Sequence, residues 1–504
     1  MNVPADRWPD YTPQVAPAEI MVLPASALDT GERRLEGETY LTGGYGLRVI
    51  LASSFEVVPL ESLAKIWQPY RLRGTQVGAD EGLPFLTATQ VFDTRPVPRK
   101  WVAPSKTPDL KRRLVEPGWL LVTCSGTVGD PIITFAPHVG AVISHDLLRV
   151  QVHEPTDLGY LYTFLRCRFG RTILRSTKYG SIVKHLEPEH LLDVPVPRLD
   201  DSIVRALDET IRHVFDLRQT AFELTLDAER LYAAQFPSID DDPAPDPVFE
   251  VAASQMFGGA RRLDGYHYNP RATGVLAAIQ ASRTETVPLE AVTKSVFGVP
   301  RFKHVYQDEG ISYLDSEDLF KLNPEVTKFI PEATKSDASR YYVERGWLLM
   351  ACSGQIYGLN GSVVIADSWH ENKIVSNHVL RIVPEGIRPG FLAMALGHPT
   401  LGCPLVLRLA FGSEIPEIAP QDLLSLPIAR LGAVEDEIAN RMEEASSLRT
   451  QADSEEDQAV LYLEEELDTG LSPETTEKPT KFEKLTSRPA ALLSDREREI
   501  SETP

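Results

Sequence analysis

Apolar and small residues recur in steps of three and four along two long polar stretches of the chain. In the first, over 202–236, they fall at Leu207, Ile211, Val214, Leu217, Ala221, Leu224, Ala228 and Leu231. In the second, over 435–467, the equivalent positions hold Ile438, Met442, Ala445, Leu448, Ala452, Glu455, Ala459 and Tyr462, at a constant offset in numbering. This spacing predicts two long helices, each with one apolar seam. Both seams share an irregular pair of three-residue steps, Ile211–Val214–Leu217 and Met442–Ala445–Leu448, and Glu455 interrupts the second. Upstream of each helix the apolar runs are short and bounded by Gly and Pro, as at 120–123 and 363–366, which predicts strands. Helical stretches are expected at 158–176 and 389–410.

The shared phase reflects an internal repeat that occupies nearly half the chain. Gly118-Trp119-Leu120-Leu121 returns as Gly346-Trp347-Leu348-Leu349, and Cys124-Ser125-Gly126 as Cys352-Ser353-Gly354, both at an offset of 228. Arg33-Arg34-Leu35 and Asp80-Glu81-Gly82 return at the same offset as Arg261-Arg262-Leu263 and Asp308-Glu309-Gly310. Val58-Pro59-Leu60-Glu61 returns as Val287-Pro288-Leu289-Glu290, one position later still. Downstream the offset is 232: Ser144, Leu148 and Arg149 match Ser376, Leu380 and Arg381, and Tyr179-Gly180-Ser181 matches Phe411-Gly412-Ser413. Leu191-Leu192 with Pro195 matches Leu423-Leu424 with Pro427. The chain is two copies of one mixed α/β unit, each closed by a long helix.

Composition limits what the unit does. The 504 residues are 42% hydrophobic and 24% charged, as in ordinary globular proteins. No run reaches the ~18 apolar residues of a membrane helix, and Met1–Pro17 lacks the layout of a signal peptide, so a cytoplasmic location is expected. The four cysteines include no Cys-x-x-Cys pair, which argues against a zinc site or a disulfide framework. The net charge of −21 opposes phosphate binding at first sight, but 434–504 holds 20 acidic against 8 basic residues and so 12 of those charges. Basic residues gather elsewhere, at Arg95, Arg99 and Lys100 and at Lys106, Lys111, Arg112 and Arg113. The composition of 468–504 is that of a disordered acidic tail, and 237–260, with Asp240-Asp241-Asp242, reads as a linker between the copies.

Catalytic signatures are missing. The chain has no Gly-x-x-x-x-Gly-Lys-Ser/Thr loop for nucleotide phosphates and no Asn/Asp-Pro-Pro-Tyr/Phe element for base methylation. Gly43-Gly44-Tyr45-Gly46 is too short for a cofactor loop and reads as a turn. Glu371-Asn372-Lys373 is half of a metal-nuclease pattern without its preceding acid. His145, His185 and His378 do not cluster at ligand spacing, so no metal site is expected.

Three ordered features remain in each copy: Gly-Trp-Leu-Leu with a Ser-Gly turn, a Gly-Ser step leading to Leu-Leu and Pro, and a long helix. In the first copy they run through Cys124-Ser125-Gly126-Thr127-Val128-Gly129, Gly180-Ser181-Ile182-Val183-Lys184-His185-Leu186 and Leu191-Leu192-Asp193-Val194-Pro195-Val196-Pro197. The second copy has Cys352-Ser353-Gly354-Gln355, and its opening Arg262-Leu263-Asp264-Gly265-Tyr266-His267-Tyr268-Asn269-Pro270 is of the same kind. Over residues 33–467 this order resembles the specificity subunit of a type I restriction-modification complex. The resemblance implies an α+β fold: two target-recognition domains at 33–200 and 261–431, joined by spacer helices at 201–236 and 432–467 that form an antiparallel coiled coil. An N-terminal extension, 1–32, precedes them. Each domain would read one half of an asymmetric target on double-stranded DNA. The helices would set the gap and dock two methyltransferase subunits, which carry the cofactor; the chain itself would need none. A restriction motor would join the complete complex, a phage-defence system, in which this chain is non-catalytic.

Candidate DNA-binding residues follow in three groups. The turns offer Ser125, Thr127, Ser353 and Gln355, whose hydroxyls, amides and backbone could hold phosphate. The Gly-Ser steps offer Ser181, Lys184 and Ser413. In the second copy Pro416 and Glu417 replace Lys184 and His185, which weakens phosphate binding there. The basic residues Arg71, Arg73, Arg99, Lys100, Lys111, Arg112 and Arg113 form the third group, with Arg301, Lys303 and His304, the second-copy counterparts of Arg73, Thr75 and Gln76. Two other readings compete: an adaptor or inhibitor of a defence system that binds protein and not DNA, and an enzyme using the cleft of the repeat.

Overall fold

The computed structural model describes residues 43–72, 74–177, 185–239, 248–257, 262–301, 305–307, 309–331 and 339–471. The N-terminal extension, most of the acidic tail, part of the linker and the candidates Arg73, Ser181, Lys184, Lys303 and His304 lie outside them. Both α and β structure are present, and the two copies share one plan.

The short apolar runs form the centre of a four-stranded antiparallel sheet in each copy. In the first, β1 (Ala64–Trp67), β2 (Leu120–Thr123), β3 (Pro131–Ile133) and β4 (Leu147–Val152) lie in the order β1-β4-β2-β3. In the second, β5 (Thr293–Phe297), β6 (Leu348–Ala351), β7 (Val363–Ile365) and β8 (Val379–Pro384) repeat it as β5-β8-β6-β7. The register repeats too, Leu121 opposite Arg149 and Leu349 opposite Arg381. Every residue of β2 and β6 is buried, which is why these strands read as unbroken apolar runs.

Arg149 and Arg381 are fully buried, each serving as a backbone clamp. Arg149 donates from Nη1 to Ser144 O (2.9 Å) and from Nη2 to Ile143 O (2.8 Å). Arg381 donates from Nη1 to Ser376 O (3.0 Å) and from Nη2 to Val375 O (2.6 Å). Carbonyls that a sheet edge would leave unpaired in the interior are thereby satisfied.

In the first copy helices α1 (Leu158–Arg166) and α2 (Arg168–Thr177) follow the sheet and α3 (Asp201–Ala233) closes the unit; α4 (Pro389–Gly397), α5 (Gly402–Leu407) and α6 (Ala433–Gly470) repeat this in the second. The predicted helical stretches are therefore each two helices, and the long helices span 33 and 38 residues. Glycine marks where they cross. A Cβ on Gly159 would lie 2.4 Å from Asp208 Cα, and one on Gly390 would lie 2.9 Å from Ala439 Cα. These backbones approach too closely for any larger residue.

The two long helices pack along each other with opposed chain directions: His213 lies beside Glu455, Arg218 beside Glu456, and Thr225 beside Arg449. Their seam corrects the sequence expectation. On α3 the buried positions include Leu207, Ile211, Val214, Arg218, Ala221, Thr225, Ala228 and Tyr232, a regular alternation of four and three, with Asp208, Phe215 and Phe222 buried beside it. Leu217, Leu224 and Leu231 are only half-buried, one position away. The irregular step in the sequence comes from following apolarity past Arg218 and Thr225. On α6, likewise, Glu456 is fully buried in the seam, while Glu455 sits at its flank, 3.7 Å from His213 Nε2.

Glu456 is the centre of a buried polar cluster. Its Oε2 accepts from Arg218 Nη2 (2.5 Å) and Asn323 Nδ2 (2.8 Å), and its Oε1 from Tyr162 OH, with Arg166 Nε at 3.1 Å. Burial alone would raise this carboxyl, but Arg166 and Arg218 outweigh it and hold it at about 2. Such a pair is stabilising only while every partner is present.

Each core is completed by the other copy's helix or by its own incoming one. Ala452, Ala459, Leu463 and Leu467 of α6 join the first copy's core, and Ala228 and Tyr232 of α3, with Phe236 just beyond it, join the second's. The copies also meet directly. Thr94 N donates to Phe320 O (2.7 Å) and Leu322 N to Phe92 O (2.8 Å), flanking a bridge between Asp93 and Lys321. In all three, a segment meets its own counterpart in the other copy, in opposed direction. Only a local two-fold axis produces that pattern. The helix seam obeys the same axis, for Arg218 meets Glu456 and their counterparts Arg449 and Thr225 meet in turn.

Candidate nucleic-acid interface

Both Ser-Gly turns leave a fully buried strand, and both are held by the same backbone bonds. Cys124 N donates to Asp146 O (3.0 Å) and Leu186 N to Cys124 O (2.9 Å). Cys352 N donates to His378 O (2.9 Å) and Ile418 N to Cys352 O (2.8 Å). Gly126 and Gly354 adopt φ of +76° and +125°, where glycine is favoured, and so let the chain reverse at once. Each serine then pairs with the strand-like segment facing it, Ser125 with His185 and Ser353 with Glu417.

Side chains distinguish the two ends. Ser125 Oγ lies 3.2 Å from His185 Nδ1, and Thr127 is exposed beside it. Ser353 Oγ faces Glu417 Oε1 at 3.5 Å, and Gln355 Nε2 donates to Glu414 O at 2.7 Å. Ser413 is exposed on the same loop. The first turn thus carries a hydroxyl and an imidazole where the second carries a hydroxyl and a carboxylate. Neither thiol beneath the turns is reactive: burial pushes Cys124 up to about 12 and Cys352 up to about 11.

Arg71 is exposed in the loop after β1, close enough to act on His145. Burial, then the charges of Arg71, Arg113 and Arg149, lower the His145 pKa against the opposing pull of Asp146. Lys111 and Arg112 are exposed on the short helix Leu110–Arg113. Arg301 is exposed after β5, the second-copy counterpart of the Arg71 loop. Tyr70 (80% exposed), next to Arg71, and Tyr357 (69% exposed), just after the second turn, stand bare. Neither is among the sequence candidates; an aromatic next to a basic residue, as in Tyr70-Arg71, is the signal that could have found the first.

The basic segment 95–113 is not one surface. Arg113 is 1% exposed and donates from Nε to Pro108 O (2.9 Å), so it is a structural residue and not a phosphate contact. Arg95 holds Glu229 of α3 through both Nε (2.9 Å) and Nη2 (2.8 Å). Arg99, though exposed, lines a cavity between the copies, while Lys100, on strand Lys100–Val102, is exposed outside that lining. The exposed cationic candidates among the described residues of the first copy are therefore Arg71, Arg99, Lys100, Lys111 and Arg112.

Among the described residues no group of three or more His, Cys, Asp or Glu could hold a metal ion, and no helix is long and apolar enough to cross a membrane. No protein-family profile and no curated protein matches the chain. Among solved structures, the type I restriction-modification S subunit from M. genitalium is similar over 83% of this chain and 95% of that one, at 12% identity and a TM-score of 0.29. The HsdS subunit from Thermoanaerobacter tengcongensis is similar over 83% and 96%, at 13% identity and a TM-score of 0.25. The type IIG restriction endonuclease BpuSI is similar over 34% of this chain and 28% of its own, at 11% identity and a TM-score of 0.26.

Proposed function

We propose that this chain is the DNA-specificity subunit of a type I-like restriction-modification complex, with target-recognition domains at 33–200 and 261–431. The observation that carries the reading is the local two-fold axis, on which counterpart segments of the two copies meet and the two long helices cross. Duplex DNA has two-fold axes of its own. A protein with matching symmetry presents equivalent loops to two half-sites at a fixed separation. Here those loops carry different side chains, Ser125 with His185 against Ser353 with Glu417, so the half-sites they read differ in sequence. The helix pair, roughly 50 Å long at ~1.5 Å per residue, is the antiparallel coiled-coil spacer.

The role is recognition. Arg71, Lys111, Arg112 and Arg301 hold phosphates and fix register, and the turn residues Ser125, Thr127, Ser353, Gln355 and Ser413 approach the DNA between them. Two methyltransferase subunits dock on the symmetric helix surfaces and bring the cofactor; a restriction motor completes the assembly. Co-expression with the methyltransferase of the same gene cluster, followed by mapping of methylated bases, tests the reading. It is expected to return one asymmetric, two-part target. The purified chain with labelled S-adenosylmethionine and DNA should transfer no label; transfer without a partner, or no methylation with one, would overturn it.

A further inference from the structure

The local two-fold axis is broken at one place, and the break leaves a cavity. On one side of the helix seam lies the cluster of Tyr162, Arg166, Arg218, Asn323 and Glu456. The axis maps these residues onto Ala393, Gly397, Arg449, Arg95 and Thr225. The α1 to α4 part of this mapping is anchored by Gly159 and Gly390, which make the same close approach to their long helices. A tyrosine has become alanine, an arginine glycine and a glutamate threonine. The space they vacate is a cavity of about 400 Å³, and all five of the mapped residues line it.

One cation has been retained in that cavity. Arg449 is the counterpart of Arg218, which meets both Glu456 (2.5 Å) and Asp453 (2.7 Å). Among the described residues Arg449 is bonded to the Thr225 hydroxyl at 2.7 Å, and no carboxylate comes within ion-pair distance. Of the acids in the lining, Glu229 is engaged with Arg95, Asp367 with His370 and Asp453 with Arg218, and these three act on Arg449 only from longer range; Asp318 accepts from Asp315 N, and burial raises Asp93 to about 7. That leaves a guanidinium lining the cavity with a neutral hydroxyl where its counterpart has two carboxylates, a group suited to a charge-assisted bond with an anion. Phe320, Ile365, Met394, Leu407 and Met442 supply apolar wall, and Arg99, Arg271 and Lys321 add further charge at the lining.

We propose that this cavity binds a small amphipathic carboxylate, whose carboxylate takes on Arg449 the place that Glu456 takes on Arg218, with its apolar body against Met394 and Leu407. The site is independent of the DNA-recognition reading. Its size suits a ligand of roughly ten heavy atoms.

Isothermal titration of the full chain with octanoate tests it, with 1-octanol as the neutral match in length. One octanoate should bind per chain, at least tenfold more tightly than 1-octanol. Thr225→Glu supplies the missing carboxylate from the protein and should abolish octanoate binding while leaving the melting temperature unchanged or higher. Should that variant fold poorly, Arg449→Met serves instead, and octanoate should lose its advantage over 1-octanol. No octanoate binding, equal affinity for the two probes in the wild type, or an advantage that survives a folded variant would each overturn the proposal.

Discussion

Arg218 and Arg449 stand at equivalent positions of the two long helices, yet only Arg218 meets a carboxylate in the seam. Its Nη2 lies 2.5 Å from Glu456 Oε2, whereas Arg449 Nη2 donates to Thr225 Oγ1 at 2.7 Å. A slip of the helix pair by one turn would bury Arg218 and Glu456 apart from each other. The asymmetric pair therefore fixes the register in which two similar helices meet, the use of buried polar groups that is best attested in helix pairs.

Glu456→Gln should lower stability by about 3–5 kcal/mol, because buried Arg166 loses its ion-pair partner and buried Arg218 keeps only Asp453. The same group predicts an acid limb. Its folded pKa, about 2, lies below the ordinary carboxylate value, so its stabilisation is complete above about pH 4.5 and is lost as pH falls toward 2. Asp453 works in the opposite sense, since burial raises it to about 6 against the pull of Arg218. Urea melts of wild type and variant between pH 2 and 7 isolate the Glu456 part: the stability difference should shrink below pH 4.5.

Arg149→Met and Arg381→Met should each cost about 3 kcal/mol, since each leaves several buried carbonyls unpaired. The two losses should be similar because the two clamps are built alike. Thermal unfolding of the single variants checks this, and a loss confined to one would show that the clamps are not equivalent.

Lys111→Glu with Arg112→Glu should weaken DNA binding by the assembled complex and lower the slope of log affinity against log salt by about 2, at ~0.9 per phosphate contact. Arg113→Ala should behave differently, destabilising the first copy by about 2 kcal/mol because its buried guanidinium is a packing and hydrogen-bonding group. Nitrocellulose retention at several salt concentrations, with melting curves for each variant, separates the two effects.

Seven residues inserted between Ala221 and Phe222, with seven more between Ala452 and Asp453, should lengthen the gap between half-sites by about three base pairs. The added helix is about 10 Å at ~1.5 Å per residue, and seven residues keep the seam in phase. The same insertion pulls Thr94 from Phe320 and Leu322 from Phe92, so the protein should also melt at lower temperature. Methylation maps before and after insertion decide it; unchanged spacing with unchanged half-sites would mean that the helices do not measure the gap.

Much of this protein is local and so is written in its sequence. The repeat, the strand at 120–123, the Ser-Gly turns and both long helices follow from turn residues and apolar periodicity, which need no knowledge of distant partners. Even the swap of His185 for Glu417 opposite the two serines is legible from aligned copies, and the structure pairs them as the alignment implies. What fails is every inference that treats polarity as exposure. Arg113, Arg149, Arg218 and Glu456 are charged and buried: nearby backbone carbonyls satisfy the first two, and partners far along the chain satisfy the last two. That is why apolarity traces the seam through Leu217 and Leu224 and not through Arg218 and Thr225. The meeting of Asp93 with Lys321, and the cavity beside Arg449, arise only when two copies close around one axis. A single chain carries the residues for both, but the distances that turn them into contacts exist only after packing has brought residues hundreds of positions apart within a few ångströms.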